Sequence, residues 1–89
     1  MPSYLVESYL ADSPAAIQDA RKRARSVAEQ DARIRYVRTT FLPGDETILH
    51  VFEAPSAEAL TQAGRRAALN YERIVEAVEG SAGSIRRDR

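Results

Sequence analysis

Residues 34–54, IRYVRTTFLPGDETILHVFEA, carry the pattern that decides the fold. Two stretches rich in β-branched and aromatic residues, Ile34–Leu42 and Thr47–Ala54, flank the turn sequence Pro43-Gly44-Asp45-Glu46. Stretches of this composition predict strands, and a Pro-Gly turn between them predicts an antiparallel hairpin. The middle of the chain is therefore predicted to form the second and third strands of a sheet.

A strand and a helix are predicted on either side of this hairpin. Upstream, Ser3–Tyr9 has the composition of a strand, and the pair Ser13-Pro14 begins a helix, because serine caps a helix and proline suits its first position. Downstream, the pair Pro55-Ser56 begins a second helix, and Arg73–Glu79 is predicted as the last strand. The local pattern of that last segment fits a helix nearly as well, and the overall order decides for the strand.

The predicted order is thus β-α-β-β-α-β. With right-handed crossovers, this order predicts a ferredoxin-like α+β domain, in which both helices cover one face of a four-stranded antiparallel sheet of order 4-1-3-2. The domain is expected to span residues 1–79. Residues 80–89, GSAGSIRRDR, are expected to form a flexible basic tail, because they are rich in Gly and Ser and lack periodicity.

Composition excludes several classes of function. A length of 89 residues fits one domain, and the lack of cysteine rules out disulfides, thiolate nucleophiles and iron–sulfur clusters. Thirteen basic residues balance 13 acidic ones, so no overall charge attracts nucleic acid or a membrane. No apolar run approaches the roughly 20 residues that cross a bilayer, and no signal-peptide pattern is present, so we expect a cytoplasmic protein.

The sheet face away from the helices, which we call the open face, is also predicted to be apolar. The residues expected to face the helices are Val6, Val37, Phe41, Leu49, Val51, Val75 and Ala77. Those expected on the open face are Leu5, Glu7, Tyr9, Ile34, Tyr36, Arg38, Ile48, His50, Phe52, Ile74, Glu76 and Val78. Because an exposed apolar face usually meets a partner, we expect a homodimer packed sheet to sheet, a dimeric α+β barrel.

Three titratable residues of the open face are candidate ligands. Glu7, His50 and Glu76 fall near the middle of strands predicted to be neighbours, so they are expected to lie side by side. A carboxylate in apolar surroundings must be paired, protonated or bound to a metal. One imidazole and two carboxylates suit a divalent transition metal such as nickel, iron or zinc.

Two other interpretations stay open at this point. In one, the protein is a cofactor-free barrel enzyme, an isomerase or monooxygenase acting on a small cyclic or aromatic molecule. His50 is then the general base, and Arg38 stabilises an enolate. In the other, buried Glu–Arg and Glu–His pairs set the register of the dimer without any ligand. An interior pocket of roughly 300 Å³ or more would favour the enzyme, and a filled interior would favour metal storage.

Four phrases of the sequence form a distinctive set: MPSYLVESY at 1–9, RYVR at 35–38 leading to LPGDET at 42–47, FEAPSAEA at 52–59, and RIVEAV at 73–78. Together they resemble a small bacterial family of long-unknown function that includes an actinobacterial nickel-binding protein. The resemblance implies a ferredoxin-like fold, a dimeric barrel, and nickel binding in at least one relative. We therefore predict a nickel-binding protein that buffers or sequesters the ion without turnover. Its predicted ligands are Glu7, His50 and Glu76, and other divalent transition metals suit the same residues.

Overall fold

The structure, a computed structural model, describes residues 1–78. Its elements are β1 (Ser3–Tyr9), α1 (Pro14–Gln30), β2 (Arg35–Leu42), a short 3₁₀ helix (Pro43–Asp45), β3 (Thr47–Glu53), α2 (Ala57–Arg66) and β4 (Arg73–Ala77). The strands form one antiparallel sheet of order β2-β3-β1-β4, which is the predicted order read from the other edge. The ferredoxin-like α+β prediction is confirmed. Glu79 and the predicted tail, residues 80–89, lie outside the described residues.

Both helices begin where the sequence predicts. The Ser13 hydroxyl accepts a hydrogen bond from the Ala16 amide at 3.3 Å, and the Ser56 hydroxyl accepts one from the Ala59 amide at 3.1 Å. Each serine thereby satisfies an amide that the first turn of a helix leaves without a partner. Within residues 1–78, neither helix has the length and apolar character needed to cross a membrane.

A single apolar core lies between the sheet and the two helices. Helix α1 contributes Ala24 and Val27, α2 contributes Leu60 and Ala63, and Phe52 of β3 packs against them from the sheet. Two of these four helix residues are alanines, and the largest fully buried side chain is that of Phe52.

The pairing register shows which side chains face the helices. On β1, Val6 faces the helices and Glu7 faces away, as predicted. Val6 pairs directly with His50, and directly paired residues of an antiparallel sheet share a face. His50 therefore faces the helices, and its predicted place on the open face is wrong.

The same correction applies to most of β3 and β4 and to the start of β2. Residues predicted for the open face but found on the helix side are Ile34, Tyr36, Ile48, His50, Phe52, Ile74 and Glu76. Residues predicted to face the helices but found on the open face are Leu49, Val51, Val75 and Ala77. The error arose because both alternating sets of these strands are largely apolar, so hydrophobicity alone did not choose between the faces.

A bulge in β2 also changes which face of the sheet the side chains beyond it occupy. Tyr36 pairs with Phe52 and Arg38 pairs with Val51, so Val37 is an extra residue between two consecutive pairs. A bulge of this kind leaves one residue unpaired and shifts the alternation beyond it. Thr39 consequently joins Tyr36 on the helix-facing side, three positions along the chain.

Candidate functional site

The structure separates the three predicted ligands. Glu7 lies on the open face, where its carboxylate pairs with Arg73 Nε at 2.5 Å. His50 is buried on the helix-facing side with 1% of its surface exposed, and Glu76 is exposed on β4 opposite Tyr4. The prediction that these residues lie side by side is wrong. Residues 1–78 contain no group of three or more His, Cys, Asp or Glu side chains that could hold a metal ion.

His50 nevertheless has the surroundings of a functional residue. Its side chain is almost fully buried, and burial lowers its pKa from the ordinary 6.5 to about 4. The imidazole is therefore neutral at physiological pH. Its Nε2 atom is buried and has no hydrogen-bond partner among the described residues, which is uncommon for a buried polar atom.

The other ring nitrogen of His50 is held by a chain of hydroxyl groups. His50 Nδ1 lies 2.7 Å from Thr39 Oγ1, and Thr39 Oγ1 is in turn hydrogen-bonded to the Tyr36 hydroxyl. The β2 bulge makes this possible, because it brings Tyr36 and Thr39 to the face that His50 occupies. The ring is thus fixed from one side, and Nε2 is the ring nitrogen without a hydrogen-bond partner among the described residues.

A pocket of about 140 Å³ lies beside His50, between helix α1, the sheet and the segment that follows α2. Its polar lining is formed by His50 with Ser8, Asp19, Arg23 and Asn70, and its other walls are aliphatic. The pocket therefore combines an imidazole, a carboxylate, a hydroxyl and a side-chain amide. It is smaller than the roughly 300 Å³ expected of a pocket for a drug-sized molecule, so its size suits an ion or a very small ligand.

The charges in the pocket are paired with each other. Arg23 Nε donates to Asp19 at 2.8 Å, one helical turn apart on α1. Arg23 Nη1 also donates to the Ala68 carbonyl at 3.1 Å, which ties α1 to the segment beyond α2. Both side chains of the ion pair are well exposed, so the pair is worth about 0–1 kcal/mol and separates readily.

The residues of the enzyme interpretation are also separated. Arg38 pairs in register with Val51 on the open face, whereas His50 faces the helices. The sheet therefore stands between the proposed base and the proposed enolate-stabilising cation. Likewise, the predicted Glu–His pair is not formed, because His50 bonds a threonine, but a Glu–Arg pair is present between Glu7 and Arg73.

Sequence reasoning missed most of the residues that surround His50. Asp19 comes from α1, and Ser8 and Thr39 come from different strands, so no local motif joins them. The one available signal was the helical position of Asp19 four residues before Arg23, which is typical of a surface ion pair. Nothing in that spacing indicates the neighbouring imidazole.

Comparison with known proteins is consistent with this fold and identifies the protein family. The model of the SCO4226-like family, described as nickel responsive proteins, matches residues 4–77. The chain belongs to this family, and the resemblance seen in its sequence is confirmed. No curated protein matches the sequence.

A solved structure shares the architecture. The crystal structure of SCO4226 from Streptomyces coelicolor A3(2) superposes with a TM-score of 0.72, covering 89% of this chain and 99% of that one. At 20% sequence identity, this likeness concerns the fold. The arrangement around His50 is therefore interpreted from this chain's own residues.

Proposed function

We propose that this chain is a small cytoplasmic nickel-binding protein that sequesters the ion without catalysing a reaction, with His50 as its nitrogen ligand. The observation that carries the proposal is the buried, unpartnered Nε2 atom beside a pocket that also contains a carboxylate. Membership of a nickel-responsive family supports the choice of ion.

The chemistry of the pocket suits a borderline divalent metal. Imidazole nitrogen binds nickel, zinc and copper, and carboxylate, hydroxyl and amide oxygens add hard donors. Metal binding to histidine requires the neutral ring, and the lowered pKa of His50 means that no proton has to leave at neutral pH. Metal-binding histidines also generally hydrogen-bond through their second nitrogen, as His50 does to Thr39.

Asp19 is the proposed oxygen ligand. To bind the ion, its carboxylate has to leave Arg23. Because this ion pair is exposed, the free-energy cost of separating it is small. Ser8, Asn70 and water supply donors for the remaining positions. With only one imidazole and one carboxylate, selectivity for nickel over copper is not expected from the ligands alone, because copper generally binds such donors more tightly.

The proposed nickel site is tested by calorimetric titration of chelator-stripped protein with nickel, zinc and copper. His50→Gln and Asp19→Asn are each expected to weaken nickel binding at least tenfold, a loss of about 1.4 kcal/mol. Asp31→Asn is the matched control, because Asp31 is a carboxylate in an ion pair with Arg33 and is not among the residues that line the pocket. Unchanged affinity in His50→Gln, or no binding by the unaltered protein, would refute the assignment.

Glu7 is assigned differently from the sequence prediction. Because Glu7 lies across the sheet from His50, its ion pair with Arg73 is better suited to set the register of two packed sheets. A ligand role for Glu76 stays a prediction. Glu76→Gln in the same titration tests it, with a tenfold loss expected only if the carboxylate binds the ion.

We also propose that the chain forms a homodimer through its open face, as the sequence predicted, although with different residues. The apolar centre of this face is formed by Leu5, Leu49, Val51 and Val75. The pairs Glu7–Arg73 and Arg35–Glu53 lie on the same face. A second copy related by a two-fold axis presents the same apolar centre and the same mixed charges, which is the complementarity that an isologous interface requires.

Sedimentation velocity tests the dimer. Leu49→Lys is expected to shift the protein to monomer, because it places a charge in the apolar centre of the interface. Gln62→Lys, an exposed change on α2, is the matched control and should sediment like the unaltered protein. A dimer that persists in Leu49→Lys, or an unaltered protein that is monomeric at all concentrations, would contradict the proposed interface.

A further inference from the structure

The proposed nickel site uses only one nitrogen of His50. The other ring nitrogen belongs to a hydrogen-bonded chain that the site does not explain. His50 Nδ1, Thr39 Oγ1 and the Tyr36 hydroxyl form a continuous hydrogen-bonded chain on the helix-facing side of the sheet. Each hydroxyl carries one hydrogen, and a neutral imidazole carries one. The chain can therefore run in either of two directions.

The direction of the chain decides which ring nitrogen of His50 carries the hydrogen. When Nδ1 carries the hydrogen, it donates to Thr39, Thr39 donates to the phenol oxygen of Tyr36, and Nε2 keeps a free lone pair. When Tyr36 donates to Thr39 and Thr39 donates to Nδ1, the hydrogen of the ring is on Nε2. Only the first arrangement leaves Nε2 able to bind a metal ion.

The surroundings of Nε2 favour the first arrangement. No described residue accepts a hydrogen bond from Nε2, so a hydrogen placed there would be a buried N–H without an acceptor. Such orphaned N–H groups are rare in folded proteins, because they lose their bond to water without replacing it. Nδ1–H, by contrast, has the Thr39 oxygen at 2.7 Å.

We propose that Thr39 and Tyr36 are positioning residues that hold His50 in the Nδ1–H tautomer and so keep the lone pair of the ring on Nε2. Thr39 acts directly as the acceptor for Nδ1–H. Tyr36 acts through Thr39, since its phenol oxygen accepts the hydrogen that Thr39 would otherwise turn toward Nδ1. This inference rests on the proposed nickel site for its purpose, but the tautomer itself is a property of the metal-free protein.

A bound cation strengthens the same arrangement. A metal ion on Nε2 withdraws electrons from the ring, which makes Nδ1–H a stronger donor to Thr39. Loss of the acceptor would leave that polarised N–H buried without a partner. Outer-shell partners of this kind typically change metal affinity by about 10- to 100-fold.

The first test is nitrogen NMR of the His50 ring in metal-free protein at neutral pH. His50 is the single histidine of the sequence, so its signals are unambiguous. The expected result is a ring with its hydrogen on Nδ1 and a lone pair on Nε2. In Thr39→Val the preference for this tautomer should weaken, and in Thr39→Ser it should return. A ring with its hydrogen on Nε2 in the unaltered protein would overturn the inference, whether or not nickel binds.

The second test is nickel titration of the same variants. Thr39→Val is expected to weaken binding about 10-fold or more, Tyr36→Phe by less, and Thr39→Ser is expected to bind like the unaltered protein. Equal affinity in Thr39→Val would overturn the positioning role. If the unaltered protein binds no nickel, the proposed function fails, while the NMR measurement still decides the tautomer.

Discussion

Acid should destabilise this protein through the buried imidazole of His50. The folded protein holds the imidazole neutral with a pKa of about 4, whereas the unfolded chain returns it to the ordinary 6.5. Between these values the unfolded state binds more protons, so stability falls as the pH falls. The contribution of His50 is fully present above pH 6.5 and is lost as the pH falls towards 4.

The expected size follows from the shift. Each unit of pKa difference corresponds to about 1.4 kcal/mol, so stability should fall by about 2–3 kcal/mol between pH 7.5 and pH 4.5. Asp31, whose pKa is lowered from 3.8 to about 2, loses its contribution only below this window. Asp19 and Arg23, the charged groups that line the same pocket, are paired with each other. His50 is therefore expected to dominate the change.

Urea unfolding followed by circular dichroism at a series of pH values measures this change directly. Chain concentration has to be held constant, because self-association adds to apparent stability. His50→Gln is the reference, since glutamine hydrogen-bonds but does not titrate, and its stability should be nearly flat across the window. A flat profile for the unaltered protein, or an equal slope in His50→Gln, would refute the claim that a buried neutral imidazole causes the effect.

Three further changes test the packing and the helix ends. A Cβ at Gly64 would meet no atom within 4 Å, so Gly64→Ala should raise the unfolding free energy by up to about 1 kcal/mol; a lower urea midpoint would contradict this. Phe52 is fully buried in the core, so Phe52→Ala should lower the unfolding free energy by about 3–5 kcal/mol. A loss below about 1 kcal/mol in thermal or urea unfolding would show that the core relaxes around the substitution. Ser13→Ala should cost about 1 kcal/mol because the Ala16 amide loses its acceptor, with Ser13→Asp restoring most of it in the same assay.

The candidate site could be predicted only in part. His50 was identified as one of three titratable residues expected on the open face, and it is the residue around which the site lies, although on the other face. Its partners were not identified. Thr39 meets it through a bulge in β2, and Asp19 reaches the pocket from α1, so neither contact has a signature in the spacing of the sequence.

The sequence by itself determined the order of the elements and the starts of both helices. These features depend on neighbouring residues: a serine caps the amides three positions later, and a Pro-Gly pair turns the chain where it stands. Local physics is sufficient for them because every interacting group lies within a few residues.

Only the tertiary structure decided which face of the sheet each side chain occupies. Side chains alternate along a strand, so a single step in pairing register or one bulged residue moves a whole set to the opposite face. Val6 and Glu7 are adjacent in sequence, yet the pairing of Val6 with His50 puts Glu7 on the other side of the sheet. That pairing depends on two strands together. Because of it, the three expected ligands do not form a cluster, and His50 is instead buried beside a pocket.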